Sequence, residues 1–405
     1  MNVLLALATV TLLQCHEAAL KNYPLVKQAG LIEKTEEYSV DNAYRGYYPQ
    51  VTVTAQATYQ SAVTEVPIKI PQFQFEALSL DQYRAQVEIT QTIWDGNAMG
   101  SQSDQARAQA QIARKQLDVE LYRLKERVNQ LFFGIQMVDE QYEQIRLLRA
   151  DLQAALTSVS AAVSAGAAQK RDQYLLEAEL LNLDQRETKL RAAAVSYAAV
   201  LARLTGIDLD TSTTYMLEGG SALQDNIERP ELRLFAAQAG FVDARTDAIT
   251  ARYLPKFSAF FNGGYGRPGL DMLLNEFQPY YITGVRMVWS LTDLWASSNE
   301  RDLLDVNHAE IGVQRETFLF NTGLTMTQQK ADLAVYDELL STDAQIIDKR
   351  SVVSAIAREQ LANGTITAHD YLRDMNALDI ARRERTLHAI QRQMTIEAYR
   401  ITTGH

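Results

Sequence analysis

The feature that most constrains this 405-residue chain is that it contains one unit twice. Asn22-Tyr23-Pro24 aligns with Glu228-Arg229-Pro230, and Tyr48-Pro49-Gln50-Val51 with Leu254-Pro255-Lys256-Phe257, at a spacing of 206 residues, with Tyr59 meeting Tyr265 in the same register. Further on the spacing becomes 198 and holds: Asp95 meets Asp293, Gly166 meets Gly364, Asp172 meets Asp370, and Thr205-Gly206 meets Thr403-Gly404. The difference of 8 residues is a longer loop in the first copy, around Pro67 to Pro71. A duplication fixes architecture early, because two copies of one pattern must bury their apolar faces in related ways.

Within a unit the hydrophobic period changes. From Val51 to Tyr59 the odd positions read Val51, Val53, Ala55, Ala57, Tyr59 and the even ones Thr52, Thr54, Gln56, Thr58, the two-residue alternation of a strand with one apolar face. A second strand sets Ala85, Val87, Ile89 and Ile93 against Gln86, Glu88, Thr90 and Thr92, with Gln91 the one polar intruder. The second copy repeats the pattern with Phe257, Ala259, Phe261 and Tyr265, then Tyr281, Val285, Met287, Trp289 and Leu291, and Phe260 and Val288 break it.

After Asp95-Gly96 the period is helical. Apolar residues from Leu117 to Val163 recur every 3.54 residues, close to the 3.5 of a left-handed coiled-coil seam. A continuous helix from Asn97 to Val163 would run about 100 Å, too long for a compact globular domain. Past Gly166 a returning helix carries Leu176, Leu180, Leu183, Leu190, Ala194, Tyr197, Leu201 and Leu204 on one stripe, so the pair is an antiparallel hairpin turning at Ser164-Ala165-Gly166-Ala167. The second copy turns at Asn363-Gly364.

The expected organisation is a possible truncated signal segment over 1–10, then a first repeat over 11–206. That repeat holds a short helix, strands near 51–62 and 82–93, and a helical hairpin over 97–206. A linker over 207–225 leads to a second repeat over 226–405, with a helix, strands near 256–266 and 279–291, and a hairpin over 294–404. The apolar stretch Val3 to Leu13 is about half the length of a membrane-spanning helix, and no basic residue precedes it, so it reads as an incomplete signal. Cys15 reads as a buried helix thiol.

Composition excludes several functions. With 39 Lys+Arg against 50 Asp+Glu, and no basic run, the chain lacks a surface that releases phosphate counterions, so nucleic acid is not an expected partner. No activated nucleophile or acid/base pair is present, and no cofactor is expected. The histidines His16, His308, His369, His388 and His405 are scattered without metal-ligand spacing. Gly264-Tyr265-Gly266-Arg267-Pro268-Gly269 has dinucleotide-loop spacing, but no amphipathic helix follows it directly, so a turn between strands is expected.

Four strands with one apolar face need a core or lipid against that face, and the helices carry their own seams. Lipid outside, water inside and a closed barrel satisfy both faces, and four strands are too few to enclose a channel, so several chains must share one wall. By alternation Arg286 points into that lumen. The runner-up is a soluble coiled-coil scaffold whose strands form a small sandwich without a lumen.

Here the residues resemble a known family. Pro24, the Tyr48-Pro49 strand entry, Trp94-Asp95-Gly96 at the strand-to-helix junction, the tip pattern Val163-x-x-Gly166 with Asp172, and the Leu204-Thr205-Gly206 end are similar to the TolC family of outer-membrane efflux and secretion ducts. The likeness covers nearly the whole chain and occurs twice. It implies a mixed α/β membrane protein, not an enzyme: three chains each give four strands to a 12-stranded transmembrane β-barrel, and their antiparallel coiled-coil helices form a periplasmic α-barrel. Such a duct is a passive exit in outer-membrane lipid for small molecules or proteins. It docks onto a periplasmic adaptor and an inner-membrane transporter, which chooses the substrate and supplies the energy.

The resemblance places adaptor docking and a closed aperture at the hairpin tips, here Val163, Gly166 and Asp172 in the first copy and Gly364 and Asp370 in the second, opening as the second copy's tip helices untwist. Two positions depart from the family pattern. Arg373 stands where a second acid often follows Asp370, and Leu361 where a tyrosine often pairs with the acid matching Asp172. Three Asp370 around a mouth would favour cations, and three Arg373 would offset them. Asp172 and Asp370 also suit the capping of the returning helices.

Overall fold

The computed structural model describes residues 9–64, 78–210, 213–217, 222–291 and 295–405. Residues 1–8 of the N-terminal segment, the Pro67 to Pro71 loop, Asp293 and part of the 207–225 linker lie outside the described residues. In chain order the elements are β1 (Thr9–Thr11), α1 (Leu12–Asn22), α2 (Gln28–Tyr44), β2 (Gln50–Tyr59), β3 (Asp81–Trp94), α3 (Ala98–Tyr122), α4 (Leu124–Ser164) and α5 (Lys170–Thr205). After them come β4 (Thr214–Met216), α6 (Pro230–Arg252), β5 (Lys256–Arg267), β6 (Gln278–Val288), α7 (Ser297–Ala362) and α8 (Ala368–Thr403). They form two compact units, one of Ala29–Lys115 with Arg233–Gln314, the other of Met1–Gln28, Gln116–Leu232 and Arg315–His405.

The first of these units is built on a four-stranded antiparallel sheet of order β2-β3-β5-β6. Its register sets Val51 opposite Ile89, Ile89 opposite Phe261 and Phe261 opposite Thr283, so the odd-numbered residues of all four strands share one face. Two repeats have thus joined into one sheet along β3 and β5. The strands end where pairing ends: β6 stops at Val288, opposite the first residue of β5, rather than reaching 291. Trp289 turns away and its indole donates to the Tyr253 carbonyl at 3.1 Å. The Gly264–Arg267 stretch, expected in a turn, is instead the end of β5, paired with Gln86 to Tyr83. Gln91 sits on the apolar face without an orphaned amide, because it donates to the Tyr47 carbonyl at 2.7 Å. Asp95, buried after β3, starts α3 by accepting from the backbone of Asn97 at 3.0 Å and Met99 at 2.7 Å.

The second unit is helical. α4 and α5 form the expected antiparallel hairpin, with α1 and α8 packed on α4. One core gathers Cys15, Leu124, Val128, Phe132, Phe133 and Leu201, and a second gathers Leu152, Val159, Leu176, Leu183, Tyr371 and Met375. Cys15 is wholly buried, which pushes its thiol up to about 11. The helix expected to be continuous from Asn97 is interrupted at Arg123, between α3 and α4. Tyr122 is pinned beside the break: its hydroxyl donates to the Ile401 carbonyl at 2.8 Å and the Arg229 guanidinium lies 5.0 Å from its ring centre. A small parallel pairing of β1 with β4 has no counterpart in the sequence reading; it joins Val10 and Tyr215 to the first core. Thr9 and Val10, at the end of the proposed signal segment, therefore belong to this folded unit. Each repeat also closes on its own beginning. Asn22 donates to the Arg203 and Leu204 carbonyls at 3.1 and 3.2 Å, and the Glu228 amide donates to the Thr403 carbonyl at 2.6 Å.

Candidate functional sites: the two sheet faces and the hairpin tips

The odd face of the sheet is a continuous apolar surface open to its surroundings. Val53 is 73% exposed, Tyr281 69% and Val285 68%, with Val51, Phe261, Tyr265 and Met287 exposed beside them. Such a patch in water is a liability, whereas hydrocarbon solvates it. Aromatic residues bound it at both ends. At the loop end Tyr265 and Tyr83 pack on Phe277, with ring centres 5.7 and 6.0 Å apart, and at the opposite end Trp94 lies 6.0 Å from Phe257. Tyr83 and Trp94 are 11 residues apart in β3. At about 3.3 Å per residue and a tilt of about 45° that spans roughly 25 Å, the height of the apolar band of an outer-membrane barrel. The charges on this face, Asp81 and Arg267, pair with each other at 2.6 Å beside Tyr83.

The even face is polar. It carries Thr52, Thr54, Gln56, Gln82, Arg84, Gln86, Glu88, Lys256, Asn262 and Arg286. Arg286 lies on this face, as alternation predicts; its guanidinium stacks 4.8 Å over Phe260 and approaches Glu88 at 3.7 Å. Phe260, which broke the sequence pattern, thus serves as the apolar bed of a cation. The Tyr280 hydroxyl donates to Gln86 at 3.2 Å on the same face.

The two hairpin tips, both in the helical unit, share one backbone device. In the first, the Gly166 amide donates to the Val163 carbonyl at 3.0 Å and Ala167 to Ala162 at 2.8 Å; in the second, Gly364 donates to Leu361 at 3.0 Å and Thr365 to Gln360 at 2.9 Å. Both are Schellman turns, and they need a left-handed residue at one position, met by Gly166 at φ 76° and Gly364 at φ 69°. Val163 and Leu361 point back into the second core, so Leu361 is a packing residue.

The returning helices differ. α8 begins with a full capping box: the Thr367 hydroxyl accepts from the Asp370 amide at 3.3 Å, and the Asp370 carboxylate accepts from the Thr367 amide at 3.4 Å and, in addition, from the Thr367 hydroxyl at 2.7 Å. That hydroxyl hydrogen bond, and then the nearby Arg373, hold the Asp370 carboxyl below its ordinary range. Arg373 reaches both Asp370, at 3.8 Å, and Asp374, at 3.3 Å. In the first tip Gln169 stands in place of Thr367 and makes no side-chain cap, and the half-buried Asp172 carboxylate has no ion pair or hydrogen bond among the described residues. The sequence marked both acids alike; a single Thr-for-Gln difference three residues earlier distinguishes them.

Among the described residues no helix is long and apolar enough to cross a membrane, and no cluster of His, Cys, Asp and Glu is arranged to hold a metal.

Residues 16–207 match the family model described as outer membrane efflux protein. Among solved structures, the outer-membrane channel OprN is similar over 97% of this chain and 89% of its own, at 14% identity and a TM-score of 0.71. The Campylobacter jejuni CmeC outer membrane channel covers 97% and 85% at 13% identity and a TM-score of 0.67. The Vibrio cholerae outer membrane protein VceC covers 97% and 96% at 12% identity and a TM-score of 0.69. At these identities the structural likeness speaks for the fold. No curated protein sequence matches the chain. The first repeat carries the match to the outer membrane efflux protein model, the second repeat is built on the same plan and the whole has the fold of outer-membrane channels, which marks the chain as the outer-membrane exit duct of an efflux system, a channel rather than an enzyme, extending into the periplasm.

Proposed function

We propose that three copies of this chain close one 12-stranded barrel, odd face to lipid and even face to a water-filled lumen, that their helices share one tube, and that the six hairpin tips dock a periplasmic adaptor coupled to an inner-membrane transporter. The observation that carries this reading is the one-sided sheet with two open edges. β2 and β6 each pair on one side only, and an unpaired edge in hydrocarbon costs several kcal/mol per backbone group. Pairing β6 of one copy with β2 of the next removes every edge. A second surface supports the same assembly: Phe320, Leu324, Val335, Ile346, Val353 and Ile356 of α7 are exposed and recur at helical spacing on one side of that helix.

At the tips, Gly166 and Gly364 form the docking points and the acids the aperture. Asp370 is tied into its cap and shares Arg373 with Asp374, so Asp172, which has no such partner among the described residues, is the acid that lends charge to the closed mouth. Opening follows when the tip helices of the second repeat untwist.

Extraction decides the assembly. The chain should leave membranes only with detergent and migrate as a trimer; a stable water-soluble monomer would sink the reading. Docking is checked by efflux in cells: Gly364→Leu should abolish solute export while trimers persist, and retained export would remove the tips from the docking role.

A further inference from the structure

The even face of the sheet carries a charge opposite in sign to the chain as a whole. The protein has a net charge of −11. Yet the even-face charges of the four strands are three cations, Arg84, Lys256 and Arg286, against one anion, Glu88. Glu88 is engaged with Arg286. Arg84 and Lys256 are exposed and have no acidic partner among the described residues. They also sit at different heights on the wall. Arg84 lies opposite Gln56 and Gly266 toward the loop end, and Lys256 opposite Val288 at the end where the strands meet the helices. Gly266 offers no side chain beside Arg84.

We propose that the membrane segment of the duct selects for anions: Arg84 forms a basic ring toward the outer mouth and Lys256 a second ring at the inner end, so the cargo favoured at this stage is an anionic solute. The proposal rests on the trimeric barrel reading, which gives each ring three copies. Fixed charges on the wall of a narrow, low-dielectric pore focus their field into the water and enrich counter-ions. At physiological ionic strength each ring acts over about 8 Å, so two rings at separate heights cover more of the lumen than one. The Glu88–Arg286 pair, stacked on Phe260, is close to neutral and leaves this balance to the two unpaired cations.

The experiment is the reversal potential of the purified, detergent-extracted trimer in planar bilayers across a KCl gradient. The double variant Arg84→Gln/Lys256→Gln should lower the ratio of chloride to potassium permeability by about threefold, the size expected for a lumen potential near thermal energy. Glu88→Gln, which frees Arg286, should raise it. Raising salt from 0.1 to 1 M shortens screening from about 10 to about 3 Å and should shrink the difference between wild type and double variant. An unchanged permeability ratio in the double variant, with trimers and conductance intact, overturns the inference. Absence of trimers or of any conductance in the wild-type chain overturns the barrel reading itself, and this inference with it.

Discussion

α4 and the last part of α7, residues 322–362, occupy the same place in the two repeats, yet they do opposite work. α4 buries Val128, Phe132, Phe133, Ile135, Leu148 and Leu152 against α1, α5 and α8. The matching stretch of α7 buries little and exposes Leu324, Val335, Ile346, Val353 and Ile356. At the spacing of 198, Glu126 corresponds to Leu324, Phe132 to Lys330 and Leu152 to Arg350. Duplication kept the hairpin frame, with its length and turn chemistry, while the apolar stripe moved round the helix. One copy therefore builds the core of the subunit, and the other leaves an exposed apolar stripe, the surface that the proposed trimer would cover.

The largest expected effect tests that division. Phe132→Ala should destabilise the subunit by about 3–5 kcal/mol, seen as a lowered melting temperature of the helical signal. Val335→Glu should leave the helical content intact and lower the fraction of trimer on size exclusion. If Val335→Glu instead unfolded the subunit, α7 would be core like α4 and the contrast would collapse.

The tips come next. Gly166→Ala and Gly364→Ala each force a side chain into a left-handed backbone, about 1 kcal/mol apiece. Equal losses in thermal melts would show that the turn is a conserved device of both repeats, and a difference in efflux between the two variants would name the repeat that gates. The caps should then separate the repeats: Thr367→Ala should cost about 1 kcal/mol by removing a capping box, whereas Gln169→Ala, at a helix start with no side-chain cap, should be near neutral.

The smallest expected effect is the pH dependence that His16 gives to the first repeat. Burial depresses the His16 imidazole below its ordinary value, and its Nε2 lies 2.7 Å from the Asn129 amide oxygen. A neutral histidine favoured by the fold gives stability that is present above its unfolded pKa, about 6.5, and is lost as the pH falls below it. The melting temperature should fall between pH 7.5 and 5, and His16→Gln, which can still donate to Asn129, should flatten that slope. The corresponding residue of the second repeat is Ala222, which has no proton to exchange.

Much of this molecule is legible in its sequence because the signals are local. Alternation in β2 and β3 fixes which residues share a face; the registers of the sheet agree with it, and they place Arg286 on the polar side. Glycine at the two turns marks the tips within a residue, since few other residues tolerate that backbone. The pairing of β1 with β4 was not legible. It uses three residues on each side, separated by about half the chain, and nothing in so short a segment specifies its partner. The same holds for the break at Arg123, whose anchors Arg229 and Ile401 lie far along the sequence.

What the sequence determined by itself is the repeated plan, the strand faces and the turns, because period and turn chemistry depend on neighbours a few residues away. What only the tertiary structure decided is which helix is covered and which is left open, and which charges find partners. Asp370 is held by Thr367 and Arg373, and Glu88 holds Arg286, while Asp172, Arg84 and Lys256 have no charged partner among the described residues. Those outcomes depend on distances between residues that the chain brings together only by folding, where one neighbour at 3 Å changes a charge from free to neutralised.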